Sequence, residues 1–187
     1  MKTSTARTFL WPCASLIFFA ACAPASEDAA QLHHEQAEAA NKGLSDWSNL
    51  SSNMMVDKYG PPDRVETLRL VWERRGPWKR IAVWDELGFH SGDRGPNNIE
   101  ETVAYRVPAV KRDALAEFSG GLYVSPDGEE LSARSSSEDR NILLLNLADA
   151  IVQDKTTPEA ARLDYLNALK LSEAGKASPL MQRLQFP

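Results

Sequence analysis

A histidine in a glycine-containing irregular stretch, with carboxylates around it, is an arrangement from which acid–base or metal chemistry can be built. His90, with Asp85, Glu86 and Asp93 nearby, is the best such cluster in the 187-residue chain. Working residues tend to lie on loops held by rigid elements, and the stretch from 86 to 98 also carries Gly88, Gly92, Gly95 and Pro96. No second base or nucleophile accompanies the histidine, so His90, Asp85 and Asp93 are catalytic candidates without a chemical partner. His33 and His34 lie near Glu35 and Glu38, but adjacent residues on a helix point in different directions, whereas a ligand pair needs positions i and i+4. A solvated polar face accounts for them better than a metal site does. Ser125, Ser132, Ser135, Ser136 and Ser137 sit in neither a Gly-x-Ser-x-Gly elbow nor a Ser-x-x-Lys pattern, and turn or cap duty explains them. Gly92, Gly95, Gly120 and Gly121 lack the spacing and the Lys-Ser/Thr ending of a phosphate loop. No metal site or cofactor is indicated, and the sequence leans away from catalysis. The alternative is a hydrolase or metal-dependent enzyme built on His90 and its neighbouring carboxylates.

The stronger signal is a local charge reversal. Residues 64 to 80 hold Arg64, Arg69, Arg74, Arg75, Lys79 and Arg80 against Glu66 and Glu73, a net +4 in a chain whose total is −5. Trp72, Trp78 and Trp84 are interleaved with them. Arginine and tryptophan together can hold carboxylate- or phosphate-bearing partners, which makes Arg74, Arg75, Trp78, Lys79 and Arg80 the candidate binding residues. The competing explanation is that the cations form the wet edge of a hairpin whose tryptophans are core.

The N-terminus supplies an address. Lys2 and Arg7 precede an apolar run from Phe9 to Phe19 that is too short for a membrane-spanning helix, and small residues follow. Phe19-Ala20-Ala21-Cys22 resembles the lipobox of bacterial lipoproteins, with Phe19 where that motif most often has Leu. The resemblance implies cleavage after residue 21, acylation of Cys22 and, with Ala23 after the cysteine, sorting to the outer membrane. Ordinary cleavage after Ala25, releasing a soluble periplasmic protein, is the open alternative. Removing Lys2 and Arg7 with the leader moves the net charge from −5 to −7. Such a protein is held at an anionic envelope by its lipid rather than by charge, and general nucleic-acid binding is disfavoured. Cys13 and Cys22 are the only cysteines, so no disulfide is expected after processing.

The elements that must position these residues follow from periodicity. Residues 22–30 read as a lipidated tether, 31–175 as a single α+β domain and 176–187 as a tail that frays unless Leu180, Met181, Leu184 and Phe186 dock. An Ala-rich helix is expected over about 30–41. A second, capped by Ser45 and carrying Leu44, Trp47, Leu50, Met54 and Tyr59, ends at Gly60-Pro61-Pro62. Alternation then predicts a hairpin around Arg75-Gly76-Pro77, with Ile81 and Val83 on one side and Trp78, Ala82 and Trp84 on the other. A third strand contains Ile99, Val103, Tyr105 and Val107, a short helix follows Pro108, and a second hairpin turns at Ser125-Pro126-Asp127-Gly128. The last elements are a core helix from Ile142 to Val152 with Glu138 and Asp139 in its first turn, and a helix capped by Thr157-Pro158. The expectation is an antiparallel sheet of about five strands with a C-terminal αα-hairpin over one face.

Two further resemblances rest on particular stretches. Lys58-Tyr59-Gly60-Pro61-Pro62-Asp63, Arg69 to Trp72 and Gly76-Pro77-Trp78-Lys79-Arg80, with Tyr105-Arg106-Val107-Pro108 and Ser132-Ala133-Arg134, together resemble a family of uncharacterised bacterial exported proteins from about residue 45 to 171. That family has no established activity; its long loop is associated with two histidines flanking prolines, of which only His90 stands here. Gly60-Pro61-Pro62-Asp63 also resembles the Gly-x-Pro-Asp turn in small lipoproteins of the outer-membrane β-barrel assembly machine, over residues 45 to 85, which implies a helix-to-strand-pair architecture. The partners these readings imply are the membrane, through the Cys22 lipid, and an envelope protein, lipid or cell-wall polymer.

Overall fold

A computed structural model of the protein describes residues 44–85, 97–176 and 178–187, together with Glu35, Glu38 and Ala39. Helix α1 (Asp46–Tyr59) has Ser45 in the capping position, though the Ser45 hydroxyl bonds Ser48 Oγ at 3.0 Å rather than the helix backbone. Its buried face is not the expected leucine and methionine stripe: Leu50 and Met54 are exposed, while Ser48, Ser51, Ser52, Met55 and Val56 face the protein. Small serines let the helix lie close to the sheet and bond to it, Ser48 Oγ donating to Trp84 O at 3.1 Å and Ser51 Oγ to Asn98 Oδ1 at 2.9 Å. Gly60, at φ 79°, ends the helix in a conformation that glycine adopts at little steric cost. Its carbonyl accepts Trp72 Nε1 at 2.8 Å and so fixes the turn to the sheet.

Six strands follow: β1 (Arg64–Glu66), β2 (Arg69–Arg75), β3 (Trp78–Trp84), β4 (Ile99–Ala104), β5 (Leu122–Val124) and β6 (Glu130–Ser135). They form one antiparallel sheet in the order β1-β2-β3-β4-β6-β5. The α+β class and the antiparallel sheet are as expected. The strand beyond the expected count is β1, three residues long at the sheet edge and too short to show a period. Residues paired across an antiparallel sheet share a face, and one register row reads Trp72, Ile81, Glu101, Ala133, Leu122. A second reads Leu70, Val83, Ile99, Ser135. These rows form the core side. On the opposite side Glu73, Arg80, Thr102, Ser132 and Tyr123 make a polar row, beside Val71, Ala82, Glu100 and Arg134.

The core side is covered by α1 and by α3 (Glu138–Val152), every residue of which from Asn141 to Ala148 is buried. Leu143, Leu145 and Leu147 are at most 4% exposed, and each such side chain contributes about 1.5–3 kcal/mol through burial. Helix α2 (Arg112–Phe118) packs on β5 and α3 through Leu115 and Phe118. Gly121 follows it where a Cβ would come within 2.8 Å of Arg134 O, so the close approach of that turn to β6 requires glycine. Helix α4 (Pro158–Glu173), with Pro158 in its first turn and Thr157 Oγ1 accepting Ala160 N at 3.3 Å, rests on α2 and α3. The αα-hairpin thus has one helix on the sheet and the other in an outer layer.

The segment expected to fray is docked, which extends the domain past residue 175. Asn146, 4% exposed on α3, donates to the carbonyls of Leu180 and Arg183 at 2.9 Å each and accepts Gln185 N at 2.8 Å. Met181 is buried, and Phe186 meets the Tyr105 ring edge-on at 5.0 Å. One asparagine satisfies three backbone groups that lie beside apolar surface. Asn146→Leu should therefore cost about 1–3 kcal/mol, read by urea denaturation, and speed hydrogen exchange at the Gln185 amide. Unchanged exchange there would mean that apolar contacts alone hold the segment.

Candidate functional site

A cleft of about 690 Å³ opens where the end of α1, the β2–β3 turn, the start of α3 and the docked C-terminal segment meet. Volumes of roughly 300–1,000 Å³ are usual for small-molecule sites. Gly76, Pro77 and Trp78 come from the turn, Val103 and Ala104 from β4, Ile142 from α3, and Leu184 and Phe186 from the C-terminal segment. Lys58, Tyr59 and Glu138 supply its polar end. Glu138 Oε1 accepts Tyr59 Oη at 2.6 Å and Trp78 Nε1 at 3.1 Å, while Oε2 pairs with Lys58 Nζ. Tyr59 Oη also accepts Trp78 Nε1 at 3.1 Å. Burial and then the adjacent Glu138 carboxylate push the Tyr59 phenol up to about 12, so it stays a donor at any physiological pH.

Behind this cluster lies Glu101, the one buried acid among the described residues and fully shielded from solvent. Burial, reinforced by the negative charge of Glu138, drives its carboxyl well above the usual range. Asn141 offers a polar contact that pulls the other way. Its amide nitrogen is committed to Ile99 O at 3.0 Å, however, and neither Glu101 oxygen gains a bond of ordinary hydrogen-bond geometry. Asn141 Oδ1 also lacks a donor. A neutral carboxyl, carrying one O–H, suits this place in the core row far better than a carboxylate. A neutral buried carboxyl beside the hydrogen-bonded Glu138 would fit acid–base work in an open site, but Glu101 has no exposure through which a substrate could meet it.

The residues singled out in the sequence are distributed differently. All three histidines, with Cys22, Glu86 and Asp93, lie outside the described residues. Asp85 is described, and it is an anchor: its Oδ1 accepts Ser45 N at 3.0 Å, joining the end of β3 to the start of α1. Burial pushes the Asp85 carboxyl up, but hydrogen bonds from Ser45 and Ser48 outweigh it and hold the group below the usual range. Among the described residues no group of three His, Cys, Asp or Glu could hold a metal ion, and no helix is long and apolar enough to cross a membrane.

The arginine-rich hairpin is largely self-neutralised. Arg64 pairs with Glu66 and Glu73, Arg69 with Glu66, Arg75 with Asp63, and Lys79 and Arg80 with Glu130. Arg75 also donates to Glu73 O at 2.7 Å and to Tyr59 O at 3.3 Å, so it braces the turn. Glu73 N donates to Asp63 Oδ2 at 2.6 Å, and this bond, followed by Arg75, holds the Asp63 carboxyl below its ordinary value. Trp78, which alternation places beside Ala82 and Trp84, instead faces the helices and is 1% exposed. Strict alternation breaks near Arg74, whose φ of 51° is left-handed, and both Lys79 and Arg80 reach Glu130 on the opposite side. Arg74 itself is exposed. Trp84 lies between Arg69 and Arg134, whose guanidinium carbons are 4.7 and 4.9 Å from its ring, and donates to Glu100 Oε2 at 3.0 Å.

Sequence reasoning missed the cleft because Tyr59 and Glu138, 79 positions apart, each read as an ordinary helix residue. The fold and cleft define a one-sided α+β domain with an apolar pocket against a satisfied polar cluster. Compared with protein-family models, curated proteins and solved structures, the chain matches none.

The state of Glu101 sets a pH dependence. The unfolded chain loses this proton near pH 4.3, while the native state keeps it to higher pH. Native protein then binds more protons, so this residue makes stability fall as pH rises above the ordinary glutamate range. Glu101→Gln should raise stability at neutral pH and flatten the profile, measured as urea midpoints between about pH 4 and 8. An equal loss of midpoint at every pH would contradict a neutral Glu101.

Proposed function

We propose that this is a non-catalytic binding protein of the bacterial envelope, lipid-anchored at Cys22 to the outer membrane and facing the periplasm, with the cleft as its ligand site. The observation that carries the reading is the cleft itself, in which apolar walls adjoin polar groups already bonded to one another. Glu138 has three donors, and Tyr59 and Trp78 have partners. Such groups need no ligand to be stable, and they can orient one without reacting with it. The hairpin contributes its tip, Gly76-Pro77-Trp78, to this surface, while its basic side chains are mostly engaged with carboxylates.

Two measurements test the two halves of this reading. Growth with an alkyne-bearing palmitate should label the wild-type protein and leave Cys22→Ala unlabelled, since the other cysteine, Cys13, lies in the leader. A mature protein that begins at Ser26 and carries no fatty acid would remove the anchor. For the site, a photoreactive residue at Gln182, on the cleft rim, should yield discrete adducts in intact envelopes, whereas one at Leu163, exposed on the outer side of α4, should not. No adduct at Gln182, or the same adducts from both positions, would refute the cleft as the binding surface.

A further inference from the structure

The chemistry of the cleft narrows the class of ligand, an inference that rests on the binding reading above. Trp78, Val103, Ile142, Leu184 and Phe186 form a wall with few free polar groups, because the Trp78 N–H is already donated to Tyr59 and Glu138. An extended peptide placed there would bury backbone N–H and C=O groups with little to bond to, whereas an alkyl chain carries no such penalty. The charged groups at the rim are unequal in their freedom. Glu138 is answered by Lys58, Tyr59 and Trp78 and so offers a cationic ligand little. Lys58 is 55% exposed; its ammonium bonds Glu138 and leans on the Tyr59 ring at 5.1 Å, yet it carries three N–H donors and keeps a face towards solvent. Arg183 is exposed, and its guanidinium forms no ion pair with any described residue; only its carbonyl is engaged, by Asn146.

We propose that the cleft holds a single-chain anionic amphiphile. Its alkyl chain lies against Trp78, Val103, Ile142 and Phe186, and its carboxylate or phosphate head sits between Lys58 and Arg183. Arginine suits such a head because its planar donors can meet two oxygens at once. The rim thus favours an anion although the chain as a whole is acidic, which makes selectivity local rather than a matter of long-range attraction.

Isothermal titration of the mature protein tests this with dodecanoate, dodecyl phosphate and dodecyltrimethylammonium, each below its micelle concentration. At least one anion should bind with 1:1 stoichiometry about tenfold more tightly than the cation, and the tighter of the two anions identifies the head group. Arg183→Gln should weaken the anions by about tenfold and leave the cation unaffected, consistent with the loss of one charge-assisted contact. Leu184→Trp, at a half-buried position on the wall, should abolish binding of all three; thermal unfolding of both variants establishes that they are folded. A cation that binds as tightly as the anions, or anion binding indifferent to Arg183→Gln, overturns the proposal. If no alkyl probe binds while Gln182 still crosslinks to an envelope protein, this ligand class is rejected and the binding reading stands.

Discussion

A helix buried on almost every side has little water for its polar side chains, and α3 meets that constraint by directing four of them, Glu138, Asn141, Asn146 and Asp149, to separate parts of the fold. Glu138 takes the end of α1 and the β2–β3 turn through Tyr59, Lys58 and Trp78. Asn141 reaches the backbone of β4 at Ile99, Asn146 holds the C-terminal segment, and Asp149 Oδ1 accepts Tyr105 Oη at 2.7 Å. Desolvation makes such bonds obligatory. The cleft is where the first and third of these attachments bring their elements together.

The two faces of the sheet solve the burial problem in opposite ways. One is covered by helices and filled by Leu70, Trp72, Ile81, Val83, Ile99 and Leu131. The other buries Val71, Ala82 and Thr102 beneath its own long side chains, with Arg80 bonding Thr102 and Glu130, and Arg69 and Arg134 lying over Trp84. Guanidinium groups cover apolar atoms with their stems and planes while the charges remain near water and carboxylates. A run of basic residues that looks like a binding patch in the sequence is thus, in large part, the roof of this face.

Period and punctuation made most of the fold legible. The Gly60-Pro61-Pro62 stop, the two hairpin turns, the Thr157-Pro158 cap and the apolar run of α3 are local signals, and the elements stand where those signals lie. What escaped depends on contacts distant in sequence. The inward face of α1 is made of serines because the sheet backbone supplies their partners, which composition does not reveal. The break in alternation at Trp78 depends on Arg74 taking a left-handed conformation, against the expectation for a non-glycine residue. Docking of residues 178–187 turns on one asparagine in a leucine-rich helix. Glu101 occupies a position in β4 at which alternation alone would place an apolar side chain.

The link from Tyr59 to Glu138 closes a loop of 79 positions, and that separation orders the events of folding. The β2–β3 and β5–β6 hairpins can zip from their own turns, since their partners are sequence neighbours. Bringing α1 against α3 instead requires the intervening sheet to be in place, at a chain-entropy cost that local contacts do not bear. The cleft therefore exists only once α3 has docked on the sheet beside α1, and any change that loosens α3 uncovers the apolar face of the sheet and opens the cleft together.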